Sequence, residues 1–181
     1  AFVTRLSPES EHAPTSVDAV RMLRGHYQRR QVDDALSSTM FDRYLKFLDG
    51  SRSLFTELEV NRFEKYRARL DDALLHGDLS PAYSLYNHYQ ERQAERLTTM
   101  VNDLELRLDT IDFTLDEWVE TDREKAPWAT SEKELREIWR LQLKGALLNL
   151  VMTGKSPEEA ATLLTKRYNN QLNRLQQARS E

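Results

Sequence analysis

SPAYSLYNHYQERQAERLTTMVNDLELRL, residues 80–108, is the stretch whose reading decides the fold. Ser80 followed by Pro81 reads as an N-cap with proline at the first helical position, where the missing N–H costs nothing. Beyond it Ala82, Tyr86, Tyr89, Leu97, Val101, Leu104 and Leu108 recur at spacings of three, four and their sums, with Gln, Glu and Arg between them. That is helical period, and no glycine or further proline interrupts it. At 1.5 Å per residue such a helix is about 42 Å long, enough to cross a small domain and serve several packing partners. The fold class it predicts is all-α: a bundle of about six amphipathic helices around one long central helix.

Composition sets the outer bounds. The 181 residues suit one domain, and a chain of this length buries roughly 70% of its unfolded surface without help from a metal or disulfide. With 26 basic against 30 acidic side chains, the balance argues against nonspecific nucleic-acid binding, which rests on clustered Lys and Arg. Cysteine is absent, which removes disulfides and thiol catalysis and leaves the compartment open. No apolar run has the length of a membrane span or a signal-peptide core. The chain opens at Ala1, so it is read as a processed or cloned piece.

Outward from the long helix, residues 1–15 lack periodicity and read as a flexible arm, with a helical domain over 16–181. Ser16 can cap a helix carrying Val17, Val20, Leu23 and Tyr27. A second helix shows Leu36, Met40, Tyr44 and Leu48 at i+4 spacing, widened by Phe41, Leu45 and Phe47, and Asp49-Gly50 ends it. Thr56-Glu57-Leu58-Glu59 is a capping box with Phe55 and Val60 placed as a hydrophobic staple. It opens a helix through Phe63, Arg67, Leu70 and Leu74 that His76-Gly77 closes, with the stem of Arg67 covering apolar surface. The short connection to Ser80 predicts an antiparallel helical hairpin. Ser131 and Glu134 make a second capping box, before Leu135, Ile138, Trp139, Leu143, Ala146, Leu147 and Leu150. A third, from Ser156 to Glu159, opens a last helix bearing Ala160, Leu164, Tyr168, Leu172 and Leu175. That stripe reaches nearly to Glu181 without a stop signal, as if cut by a boundary.

Between Asp109 and Thr130 the periodicity fails, leaving an irregular connection rich in carboxylates that also holds Phe113, Trp118, Pro127 and Trp128. A connection of this length is usually functional, so these four are the candidate interaction surface. Trp118, Trp128 and Trp139 are of the type that anchors interfaces, and a homodimer is one expectation; Trp139, mid-stripe, belongs to the core. Nothing else suggests chemistry. His12, His26, His76 and His88 lie on separate segments with no i+3 or i+4 pairing, so no local zinc site is expected. Asp33-Asp34 and Asp71-Asp72 point about 100° apart on a helix and do not face one site. There is no phosphate loop, nucleophile elbow or zinc-protease motif. Tyr83, Tyr86 and Tyr89 read as core. No catalytic, cofactor or metal residue is assigned.

Four ordered blocks carry a resemblance: Phe41-Asp42-Arg43-Tyr44-Leu45-Lys46-Phe47-Leu48-Asp49, Leu85-Tyr86-Asn87, Lys125-Ala126-Pro127-Trp128, and Leu163-Leu164-Thr165-Lys166-Arg167-Tyr168. In this order and spacing they resemble the N-terminal helical region of tail-specific proteases, also called carboxy-terminal processing proteases or Prc. The likeness runs from about Ser16 to the end. It implies a periplasmic setting and a region that precedes a PDZ domain and a serine–lysine protease core. Ser180 and Lys166 then match no catalytic position, and this piece is expected to be inactive. The implied role is a non-catalytic scaffold that contributes to the substrate chamber, to docking of a helical-repeat adaptor lipoprotein or to self-association. Its partners would include the PDZ and protease core of its own full-length chain. The alternative is a free-standing helical adaptor or binding bundle; a helical enzyme with remote carboxylates is a weaker third.

Overall fold

A computed structural model of the chain describes residues 34–180, apart from 71, 72, 74, 75 and 119. Its helices are α1 (Asp34–Leu48), α2 (Glu57–Phe63), α3 (Ser80–Leu106), α4 (Glu132–Met152) and α5 (Pro157–Ser180), with 3-10 turns at Glu64–Tyr66 and Leu108–Thr110. The fold is all-α, as the periodicity indicates. The arm over 1–15 and the helix expected after Ser16 lie outside the described residues.

The predicted stripe of α3 is the inner face of the molecule: Ala82, Leu97 and Leu104 are buried and Tyr89 and Leu108 are partly so. Its start differs from the expectation. Ser80 is already helical, Leu79 holds the cap position without a side-chain bond, and the carboxylate of Asp78 accepts the Ser80 N–H at 2.9 Å. An anion two residues upstream reaches that amide and suits the positive end of the helix, which a serine hydroxyl at residue 80 cannot do from inside the first turn. The far end gives way to the 3-10 turn at Leu108–Thr110, slightly short of the predicted Leu108.

α1 buries Met40, Phe41, Tyr44, Leu45 and Leu48, but Phe47 is 56% exposed. At about 100° per residue the buried arc runs from Met40 round to Leu45, and Phe47 falls outside its edge. The helix stops where predicted. The buried Asp49 carboxylate accepts the N–H groups of Ser53, Leu54 and Phe55 at 2.9, 2.9 and 3.0 Å; burial pushes its carboxyl up against the pull of those donors. A Cβ on Gly50 would stand 2.8 Å from the Lys46 carbonyl oxygen, which is backbone and cannot swing aside. Gly50→Ala should therefore lower stability by about 1–3 kcal/mol, read as a reduced urea midpoint at unchanged slope. An unchanged midpoint would refute the clash.

The capping box of α2 forms as read: Thr56 Oγ1 accepts the Glu59 N–H at 3.4 Å and Glu59 Oε1 accepts the Thr56 N–H at 3.2 Å. Phe55 and Val60, the expected staple, are both buried in one cluster. The helix does not run on to His76, however. It ends at Phe63 and tightens, because Arg67 is drawn onto α1. The Arg67 guanidinium lies 4.6 Å from the centre of the Phe41 ring, donates to Ser38 Oγ at 2.8 Å and pairs with Asp42 at 2.7 Å. Ser37 Oγ donates to the Arg67 carbonyl at 2.5 Å. Through this turn the backbone bonds shorten to i+3, Arg67 N–H to the Glu64 carbonyl and Arg69 N–H to the Tyr66 carbonyl, before the Ala73 N–H returns to i+4 on Arg69, and Leu70 turns into the core. Leu74 lies outside the described residues. The antiparallel pairing with α3 holds through side chains: Glu59 meets Arg92, Phe63 meets His88 and Tyr66 meets Ser84.

Ser131 Oγ accepts the Glu134 N–H at 3.1 Å, but the Glu134 carboxylate turns to the N–H and hydroxyl of Thr130, at 2.9 and 2.5 Å, rather than back to the Ser131 N–H. The second box is thus half of what the spacing suggests. Ser156 Oγ accepts the Glu159 N–H at 3.1 Å, as expected of the third. Two apolar clusters result. One joins α1 and α2 to the start of α3 through Phe41, Tyr44, Phe55 and Leu85; the other joins the end of α3 to α4 and α5 through Met100, Trp139, Leu147 and Leu164. α3 spans both, and α5 is its most extensive partner.

Candidate interaction surface

Among its described residues the connection between α3 and α4 has no α-helix or strand of its own, only the 3-10 turn and one isolated bridge from Thr56 to Ala129. It is nevertheless fastened at both ends. Near α1 and α2, Lys46 pairs with Glu124, Arg52 Nη1 donates to the Ala126 carbonyl at 2.9 Å, and the Glu57 N–H donates to the Ala129 carbonyl at 2.8 Å. Against α4, the Lys144 ammonium, itself 3% exposed, donates to the Leu115 carbonyl at 3.0 Å and to Glu117 at 2.5 Å. Arg140, then Lys144, hold the Glu117 carboxyl at about 2. Lys144 sits inside the apolar stripe of α4; a lone lysine there was the sequence signal for a buried partner, and it was missed.

The structure does not bring the four candidate residues together: two pack against different clusters and two are exposed. Phe113 is half-buried against the second. Trp128 is half-buried against the first, its ring 6.5 Å from that of Phe55 and capped by the Arg52 guanidinium at 5.0 Å. Pro127 is exposed beside it. Trp118 is 88% exposed. It lines a groove of about 590 Å³ with Ile138, Leu141 and Gln142 of α4 and Glu120, Asp122 and Arg123 of the connection. Ile138, placed by its periodicity in the core, and Leu141 are only partly buried, so the apolar stripe of α4 is wider than its core and spills into this groove.

Elsewhere the charged groups are tied to one another. Arg92, 8% exposed, donates to both oxygens of Glu59 and to Glu95 and Glu132, and His88 also meets Glu59. Burial raises the Glu59 carboxyl, but the bonds from His88 and Arg92 outweigh it and hold the group at about 2. This hub joins α2, α3 and the first turn of α4, and no local motif announced it. Tyr83 and Tyr86 are buried and Tyr89 is half-buried, as a core stripe requires. His76 is exposed; His12, His26, Asp33, Asp71 and Asp72 lie outside the described residues. Among the described residues no three His, Cys, Asp or Glu side chains gather as a metal site, and no helix is long and apolar enough to cross a membrane. What this surface offers is aromatic and aliphatic contact edged by carboxylates.

Three of the four blocks quoted from the sequence meet the first cluster: Tyr44 donates its hydroxyl to the Ala82 carbonyl at 2.9 Å, Leu85 is fully buried, and Trp128 packs against the cluster under Arg52. The fourth supplies Leu164 and Tyr168 to the second cluster. Comparison with known proteins agrees with these blocks. The family model for the tail specific protease N-terminal domain matches residues 19–181. The tail-specific protease of Haemophilus influenzae is 32% identical over 180 residues, covering 99% of this chain and 25% of that protein. The chain thus spans about a quarter of the length of the curated relative it matches.

Proposed function

As this chain belongs to the tail-specific protease N-terminal domain family, we propose that it is the non-catalytic helical scaffold of such a protease. The observation that carries the proposal is coverage: the likeness takes in nearly all of this chain and only a quarter of the relative. A region of that kind supports an active enzyme by shape. The long α3, common to both apolar clusters, makes the domain a stiff unit against which the protease core can form one wall of a substrate chamber. The proposal puts a serine–lysine pair beyond this region and the protein in the periplasm, and the likeness to a tail-specific protease supports both. Docking of a helical-repeat adaptor and self-association are the further uses of its free faces.

Light-scattering mass tests this directly. The 181-residue chain is measured alone and mixed with the intact protease lacking this segment. Association that restores proteolysis is expected. A dimer or monomer that ignores the truncated protease would refute the scaffold role.

A further inference from the structure

The groove beside Trp118 has a chemistry of its own. A tryptophan 88% exposed leaves a large apolar face in water, and residues of this type dominate the energy of protein contacts. Ile138 and Leu141 continue that face across α4. The charges around it are sorted by direction. The Arg123 side chain is turned inward, 13% exposed, while the carboxylate side chain of Glu120 is 60% exposed. Asp122 is exposed as well, its carboxylate accepting the Glu124 N–H at 3.2 Å. Arg123 reaches Glu120 only at 3.4 Å, so that carboxylate keeps most of its capacity for another cation. Glu117, by contrast, is already held by Arg140 and Lys144.

We propose that this groove docks a cationic, amphipathic polypeptide segment. Its aliphatic side chains lie on Ile138 and Leu141, and a Lys or Arg side chain stacks on the Trp118 indole with Glu120 and Asp122 as counter-charges. An aromatic face with carboxylates at its rim favours a cation over an anion through both the ring quadrupole and direct Coulomb attraction. An acidic or purely apolar segment gains only the apolar part. The proposal does not rest on the scaffold role, and the two fail separately: reassociation with the protease tests one, peptide selectivity the other.

The probe is a short amphipathic peptide of leucine and lysine, titrated into the 181-residue chain and followed by calorimetry, beside its counterpart of leucine and glutamate. The lysine peptide should bind at least about tenfold more tightly than the glutamate one and weaken as salt is raised. Trp118→Ala, at a position too exposed to disturb folding, should weaken it by about tenfold or more. Glu120→Gln with Asp122→Asn should erase the preference between the two peptides while leaving part of the apolar affinity. Equal binding of both peptides by the unaltered chain, unchanged binding by Trp118→Ala, or no binding of the lysine peptide would overturn the proposal.

Discussion

Trp139→Ala should cost about 3–5 kcal/mol of unfolding free energy through lost packing alone. The indole is 1% exposed among Leu135, Leu143, Met100 and Leu147, so truncation leaves a void lined by side chains that cannot all collapse into it. Its Nε1 also donates to the Ser53 carbonyl at 2.6 Å. Losing the donor leaves a buried acceptor unpaired, which adds about 1–3 kcal/mol to the packing loss where water cannot enter. Because Ser53 precedes the Leu54 and Phe55 of the first cluster, this one bond ties the second cluster to the first. Trp139→Phe keeps much of the ring and loses the bond, so it should fall well short of the alanine loss. Urea unfolding of the three proteins measures the difference. An alanine variant within about 1 kcal/mol of the parent would show that the site relaxes and that the packing argument is wrong.

Arg92→Ala should cost about 3–5 kcal/mol near neutral pH, and the loss should shrink in acid. The guanidinium is the common partner of Glu59, Glu95 and Glu132; without it Glu59 remains buried at 7% exposure with only His88 and the Thr56 N–H and hydroxyl bonded to it. The sign follows from Glu59, whose carboxyl is held at about 2 in the folded chain against an ordinary 4.5. A carboxyl depressed by folding contributes stability that is complete above its unfolded value and lost as pH falls through its folded one. The parent should therefore lose this contribution between about pH 4.5 and 2, and the variant, having little left to lose, should show a flatter acid limb. Arg92→Lys should recover only part of the stability, since one ammonium cannot present the forked donors that reach several carboxylates at once. Parallel acid limbs for parent and Arg92→Ala would refute this account of the hub.

The comparison of sequence with structure separates local from distant causes. Thr56, Ser131 and Ser156 announce their helices because a cap is decided within four residues, and the stripe of α3 announces itself because its period is local. The premature end of α2 was not legible, since its cause, the pull of Ser37, Ser38 and Asp42 on Arg67, lies on another helix. The Arg92 hub was hidden for the same reason: Glu59 and Glu132 are distant in the chain. Of the candidate surface, the segment was visible as a failure of periodicity, and Trp118 as an aromatic within it. That Trp128 faces the first cluster depends on Phe55 and Arg52, which no window around residue 128 contains.

The fastening of the connection onto α1 and α2 bears on the order of events in folding. Its contacts close long chain segments: 78 residues separate Lys46 from Glu124 and 74 separate Arg52 from Ala126. Closing such loops early loses chain entropy before other contacts compensate, whereas α3 and its cap form from neighbours in sequence. The clasp is therefore expected to form late, and Arg52→Ala should raise the unfolding rate in a denaturant chevron while leaving the folding rate unchanged; an equal loss in the folding rate would refute this. The bond from Arg52 to the Ala126 carbonyl would then bear on how long the native domain lasts more than on how quickly it forms.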